Sequence, residues 1–174
     1  MDTTPPDLRG TLRDALPADA ADIAAIYAHY VLTTPISMEV EPPDGAELAR
    51  RIAEIQDAGL PWLVLVEDGQ LVGYAYASKW RARPGYRHAV ESSVYLDPAR
   101  RGRGHGLRLY QALLARLEGR FHAVIGGIAL PNAPSIALHE KLGFRQVACF
   151  PEVGHKFGEW VDVGYWQLSL QKQG

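Results

Sequence analysis

Val94-Tyr-Leu-Asp-Pro-Ala-Arg-Arg-Gly-Arg-Gly-His-Gly106 is the stretch whose reading decides the fold. An apolar, strand-like run ends at Asp97-Pro98. A basic loop with Gly102, Gly104 and Gly106 follows, and helical spacing then begins. Glycines allow positive φ and close approach of the backbone to a ligand. A helix start leaves N–H groups unpaired and carries partial positive charge. Together they form a cradle for a pyrophosphate, with Arg100, Arg101 and Arg103 as counter-charge. A Walker loop would need Gly-Lys-Ser/Thr, which is missing here. A dinucleotide fold expects its glycines after the first strand of a parallel unit, whereas this loop lies in mid-chain. A solvated basic turn is the plain alternative.

Upstream, Ala89 to Leu96 alternates as a strand. Glu91, Ser93 and Tyr95 share one face, and Val90, Ser92, Val94 and Leu96 share the other. Before it, Trp62–Val66 and Leu71–Ser78 read as strands joined by the turn Glu67-Asp68-Gly69-Gln70. Leu8–Arg13 reads as a first strand. Ile23, Ile26, Tyr27 and Tyr30 fall at i, i+3, i+4 and i+7, which predicts a helix. After the loop segments at Pro35 and Glu41–Asp44, Asp44 and Glu47 resemble a capping box opening a second helix with Leu48, Ile52 and Ile55 on its apolar face. Gly59 and Pro61 close that helix.

Downstream, Leu107, Tyr110, Leu114 and Leu117 predict the face of a helix, and Ala123–Ala129 a buried strand. Asn132 is a good N-cap for a further helix that Gly143 ends. Phe144–Phe150 and Val161–Leu170 read as the last strands. The pattern predicts one α/β domain over 8–174, with a mixed, mostly antiparallel central sheet flanked by helices and a disordered lead-in at 1–7.

At 174 residues, with 47% hydrophobic and 22% charged residues, the chain can bury a substantial core. A net charge of −2 gives no global attraction to nucleic acid or to an anionic membrane. The lone cysteine, Cys149, cannot form an intrachain disulfide or a cysteine metal cluster, which suits a cytoplasmic protein without a metal. No apolar run approaches the roughly 20 residues that span a bilayer, and the polar Met1–Pro6 start is unlike a signal peptide.

The spacing Arg101-x-x-Gly104-x-Gly106 resembles the acyl-CoA signature of the GNAT superfamily of N-acetyltransferases. Leu130–Phe144 is similar to that superfamily's next segment, a helix packing on the pantetheine arm. The resemblance extends over about Leu12–Leu170 to the phosphinothricin acetyltransferase group. It is carried by Pro61–Val64, Trp80–Arg83 with Tyr86, Val90–Tyr95, Leu130–Asn132 with Leu138–Glu140, and the aromatic block Val153–Gln167.

The resemblance implies acetyl-CoA as co-substrate. It is held by Val94, Tyr95 and Leu96 at the strand end, by Arg101, Gly102, Arg103, Gly104, His105 and Gly106 in the loop, and by Asn132, Ser135 and Lys141. Asn132 could equally be a plain cap, and Lys141 a surface lysine. The fold generally frees an N–H for the acetyl oxygen at a bulge, and Val94 is the residue expected there.

The implied acceptor is the α-amine of a compact amino acid with a tetrahedral head, such as phosphinothricin or methionine sulfoximine. An ammonium must lose a proton before it attacks a thioester, and Glu91 matches the group's base. A glutamate in an apolar-flanked strand is costly to bury without a purpose; the alternative is an edge residue facing water. His139 matches a histidine near the amine, yet it shares a helix face with Ile136 and Leu142, as a core histidine would. Arg81, Arg83 and Tyr86 offer donors for acidic oxygens, with Met38 and Ser93 beside the substrate. Met38 stands where relatives often carry an aromatic residue. His155, Lys156 and Trp160 either line the same cleft or complete the late strands.

Relatives commonly form homodimers, so a homodimer is implied, with a small-molecule acceptor and neither nucleic acid nor membrane as partner. A protein N-terminal acetyltransferase would need an open groove, and a non-catalytic acyl-CoA-binding module would not need both Glu91 and His139.

Overall fold

The computed structural model describes residues 10–170. The lead-in expected at 1–7, and Leu8 and Arg9 of the expected first strand, lie outside the described residues. The strands are β1 (Thr11–Asp14), β2 (Trp62–Glu67), β3 (Gln70–Lys79), β4 (Ala89–Leu96), β5 (Ala123–Ala129), β6 (Arg145–Lys156) and β7 (Glu159–Ser169). The helices are α1 (Ala20–Thr33), α2 (Gly45–Asp57), α3 (His105–Leu117) and α4 (Ala133–Lys141). The strands form one seven-stranded sheet in the order β1-β2-β3-β4-β5-β7-β6. Every pairing is antiparallel except β4 with β5. The mixed, mostly antiparallel α/β class expected from the sequence is therefore observed.

Two tight turns set the hairpin registers. Asp68 and Gly69 both have positive φ, as do Phe157 and Gly158. Paired left-handed residues match the twist of the flanking strands in a two-residue connection. The second hairpin carries β6 through Lys156, well past the expected end at Phe150. Its register slips between Gln146 and Ala148 and between Phe150 and Gly154. Pro151 is accommodated because β6 is an edge strand, where a missing N–H costs no ladder bond.

The sheet is covered on both faces. Leu63, Leu65, Val72, Ala75, Val90 and Val124 pack with α3 and Phe144. On the opposite face Val64, Trp62 and Tyr74 pack under Ile23, Ile26 and Tyr30 of α1 and Leu48 and Ile52 of α2. The fully buried stripe of α3 is Leu109, Tyr110, Leu113 and Leu117; Leu107 and Leu114, expected there, are only partly buried. The capping box of α2 is half formed. Asp44 accepts the Glu47 N–H at 2.9 Å, but the Glu47 carboxylate turns to Arg50 and Arg51. Among the described residues no helix is long and apolar enough to cross a membrane, and no group of three metal-ligating side chains gathers.

Candidate active site

The site begins where the sheet opens. β4 and β5 pair only over Ala89–Glu91 and Ala123–Ile125. Beyond that β4 follows β3 to Leu96 and β5 follows β7 to Ala129, so the two strands diverge. The β3–β4 register is unbroken from Lys79↔Val90 to Gly73↔Leu96, so the bulge expected at Val94 is not there. Divergence does its work instead. The Asp97 N–H donates to Val72 and the Trp80 N–H to Ala89, so odd-numbered residues of β4 face β3. By alternation Ser92, Val94 and Leu96 direct their main-chain groups into the gap. The Leu96 carbonyl there accepts from Tyr30 Oη at 2.5 Å.

Two consecutive glycines of β5 seat the two titratable side chains. A Cβ at Gly126 would lie 2.6 Å from His139 Nε2, and one at Gly127 would lie 3.6 Å from Glu91 Oε1. Neighbouring strand residues face opposite sides of a sheet, so His139 and Glu91 approach β5 from opposite faces. Glycine inside a strand marks such close approach. The pair Gly126-Gly127 in an otherwise apolar strand is the sequence signal of this seating.

Glu91 lines a cavity of about 540 Å³ with Met38, Ser93, Tyr95 and Tyr165. Burial raises its pKa above the ordinary carboxylate value, and the charge of Arg81 opposes that rise. Met38 fits because Gly154 carries no side chain; a Cβ there would lie 2.6 Å from the Met38 sulfur. The loop bearing Met38 is fixed by Tyr27, Glu39 and Arg51, which carry no site signal in the sequence, and by Lys156, one of the late-strand residues weighed for the cleft. Tyr27 Oη bonds Ser37 Oγ at 2.8 Å and the Glu39 carboxylate, and Arg51 grips Glu39 at 3.0 and 2.8 Å. Lys156, 5% exposed, donates to the carbonyls of Thr34 and Ser37 and so ties β6 to the same loop.

A smaller cavity of about 80 Å³ occupies the gap and is lined by Val94, Asn132, Ser135 and His139. It meets the larger one at Ser93, Tyr95 and Gly127. His139 Nδ1 donates to the Ser135 carbonyl at 2.7 Å, leaving Nε2 to accept from Tyr110 Oη at 3.0 Å. Tyr110 Oη in turn bonds Ser92 Oγ at 2.5 Å. Burial lowers the His139 pKa, with the Ser135 carbonyl opposing, so the neutral imidazole is favoured. Asn132 is a helix cap, its side-chain oxygen accepting the Ser135 N–H at 3.2 Å.

The glycine loop has the form of an anion cradle. Gly102 and Gly104 have φ of +75° and +79°, and a Cβ on either would meet no atom within 4 Å. The first main-chain bond of α3 is Arg108 N–H to Gly104 at 3.1 Å, which leaves the N–H groups of His105, Gly106 and Leu107 without an intrahelical acceptor. These features fit a pyrophosphate. The side chain of His105 does not face it: the ring is buried, with Nε2 3.7 Å from Glu67. Arg100 is held by Glu67 and Gln70, while Arg101 lies over the Tyr30 ring and donates to its hydroxyl at 3.1 Å. Arg103 is exposed on the loop, and Lys141 is exposed at the far end of α4, lining neither cavity.

Arg81 stacks on Trp80, which packs edge-on against Tyr165 of the larger cavity. Arg83 and the half-exposed Tyr86 follow at a short 3₁₀ turn, and none of Arg81, Arg83 and Tyr86 lines that cavity; Arg81 reaches it through its charge acting on Glu91.

Residues 12–164 match the acetyltransferase (GNAT) domain model. The phosphinothricin N-acetyltransferase of Alcaligenes faecalis is 43% identical over 162 residues, covering 92% of this chain and 82% of that one. The L-methionine sulfoximine/L-methionine sulfone acetyltransferase of Salmonella typhimurium is 41% identical over 164 residues, covering 93% and 95%. The GNAT superfamily phosphinothricin acetyltransferase of Sinorhizobium meliloti, solved in complex with acetyl-CoA, superposes with a TM-score of 0.90 at 39% identity, covering 94% and 89%. With a diverging β4–β5 pair, a glycine cradle and similarity along almost its whole length, the chain belongs to the GNAT family of acetyltransferases.

Proposed function

We propose that this protein transfers an acetyl group from acetyl-CoA to the α-amine of a compact amino acid of the phosphinothricin or methionine sulfone type. The observation that carries this reading is the Glu91 carboxylate, seated over Gly127 in a cavity that opens directly into the strand gap. Among the described residues no side chain hydrogen-bonds Glu91, so it is available to an incoming ammonium. Its raised pKa makes it a better proton acceptor than an exposed carboxylate.

Acetyl-CoA supplies the thioester. The loop amides at 105–107 receive its pyrophosphate, and Asn132 and Ser135 border the arm. Glu91 takes the ammonium proton, directly or through water. The amine nitrogen bonds to the acetyl carbon as the carbon–sulfur bond breaks; the nitrogen sheds a second proton to become an amide, and that proton balances the one the thiolate takes up to leave as a thiol. The Val94 N–H, directed into the gap, is the donor for the acetyl oxygen. His139 lies on the cofactor side, where its bonded chain to Tyr110 and Ser92 fixes the ring. Arg81 serves the acceptor's acidic head, with Ser93 and Met38 shaping the cavity.

We also propose a homodimer in the cytoplasm. Phe150, Val153, Phe157 and Trp160 are each more than half exposed on β6 and its hairpin, a patch that a second copy would cover.

Glu91→Gln tests the reading. The variant keeps shape but cannot take a proton, so kcat should fall roughly 10²–10⁴-fold with acetyl-CoA affinity retained, and partly recover at high pH. Wild type loses stability as pH rises from the ordinary glutamate value through the raised folded value, because the folded state binds more protons there. The variant lacks that loss and should melt higher than wild type at neutral pH. Normal kcat at neutral pH would remove Glu91 from the role. Peptide acetylation without amino-acid acetylation would move the acceptor to protein N-termini.

A further inference from the structure

A third cavity, of about 350 Å³ and half open to solvent, lies between α2 and strands β2 and β3. Leu48 and Ile55 of α2 form one wall; Trp62, Tyr74 and Tyr76 form the other. The rings are nearly parallel, with Trp62 and Tyr76 centred 4.1 Å apart at 10°. The indole N–H of Trp62 is buried without a hydrogen-bond partner. A phenylalanine would present a flat ring there without that cost, so packing alone does not explain this residue.

This space adjoins the reaction site. In the β3–β4 ladder Ser78 is opposite Glu91, and Tyr76 is opposite Ser93. Opposed residues project on the same face of a sheet, close enough for their side chains to touch. Ser78 lines this cavity together with Arg51, Glu54 and Lys79, so its small side chain borders the cavity on the same sheet face as the Glu91 position. Tyr27 borders both cavities.

We infer that this cavity is a subsite for the acceptor's side chain, suited to the aromatic end of an amino acid longer than methionine sulfone while its α-amine sits at Glu91. The subsite rests on the acetyl-transfer reading above. A ring entering past Ser78 stacks against Tyr76 and is enclosed by Leu48 and Ile55. The amine, carboxylate and reacting atoms stay where a short acceptor places them, so one enzyme serves both lengths.

The test compares methionine sulfone with L-homophenylalanine in wild type and Ala58→Phe. Ala58 lines the cavity just beyond the end of α2, away from Glu91. Its φ of −76° suits any side chain. Wild type should acetylate both acceptors. In the variant kcat/KM for homophenylalanine should fall about 10–100-fold, with methionine sulfone and the acetyl-CoA KM nearly unchanged. Ala58→Leu should give a smaller loss in the same direction and serves if the phenylalanine variant does not fold. Calorimetric titration of homophenylalanine into both proteins reads the subsite without turnover, and binding should weaken in parallel. Equal effects on both acceptors, no effect on either, or no binding of homophenylalanine to wild type would overturn the subsite. Wild type that binds homophenylalanine but acetylates neither amino acid would overturn the acetyl-transfer reading instead.

Discussion

Replacing Lys156 with methionine should unfasten the loop that carries Met38. The ammonium donates to Thr34 O at 2.8 Å and to Ser37 O at 2.6 Å. Hydrogen bonds from a charged donor contribute about 1.5–3 kcal/mol each. Desolvating the ammonium offsets part of that sum. Methionine keeps the apolar stem but leaves both carbonyls without their donor. The net loss should be about 2–4 kcal/mol. For a chain of 174 residues this lowers the melting temperature by roughly 5–12 °C. Thermal and urea unfolding measure the loss. Steady-state kinetics should show a raised acceptor KM, since Met38 and Glu39 lie on the freed loop, with the acetyl-CoA KM unchanged. A melting temperature and an acceptor KM both indistinguishable from wild type would refute the tether.

Gly104→Val should raise the acetyl-CoA KM, because a branched side chain is strained at φ +79° and occupies the open approach to the loop. Gly104→Asn tolerates that φ but still fills the approach, so recovery of affinity with asparagine would assign the defect to strain alone. Arg81→Ala should raise the acceptor KM and move the acidic limb of the kcat profile upward, since Arg81 holds the Glu91 pKa down; Arg83→Ala, whose charge does not act on Glu91, should do less, and equal effects would contradict this assignment. Gly126→Ala puts a methyl 2.6 Å from His139 Nε2 and should destabilise the fold by about 1–3 kcal/mol while disturbing cofactor binding more than acceptor binding; unaltered melting and acetyl-CoA KM would show that the imidazole moves aside freely.

The parts of the site written in local sequence were legible. The alternation of β4 put Glu91, Ser93 and Tyr95 on one face, and the glycine loop declared itself by spacing. What failed to show was set by partners distant along the chain. Nothing near Glu91 says that Gly127 lies beneath its carboxylate. A bulge was expected at Val94 because a free N–H needs a break in pairing, but a strand that loses its neighbour supplies one equally well. In α3 the leucines at 107, 109, 113 and 114 allow overlapping apolar stripes, and only the sheet selects between them. Pro151 and Gly154 disguised the second half of β6, since an edge strand tolerates residues that an interior one excludes. The loop ties through Glu39, Arg51 and Lys156 join three separate elements, and no spacing rule reports such contacts.

The seam between β4 and β5 is three residue pairs long, which makes the sheet resemble two plates joined at one corner. Beyond that seam no ladder hydrogen bond joins the two plates, and the helices packed on both faces carry what links them. A pantetheine-like arm lying between them would act as a brace, bonded on both sides like a missing strand. The first ligand to enter would then bear the ordering of the joint, and the second would meet a frame already set. Protection of the Val94 amide from hydrogen exchange should therefore appear with the cofactor alone, before any acceptor is present. Binding in that order would follow from the short seam itself, without a moving lid.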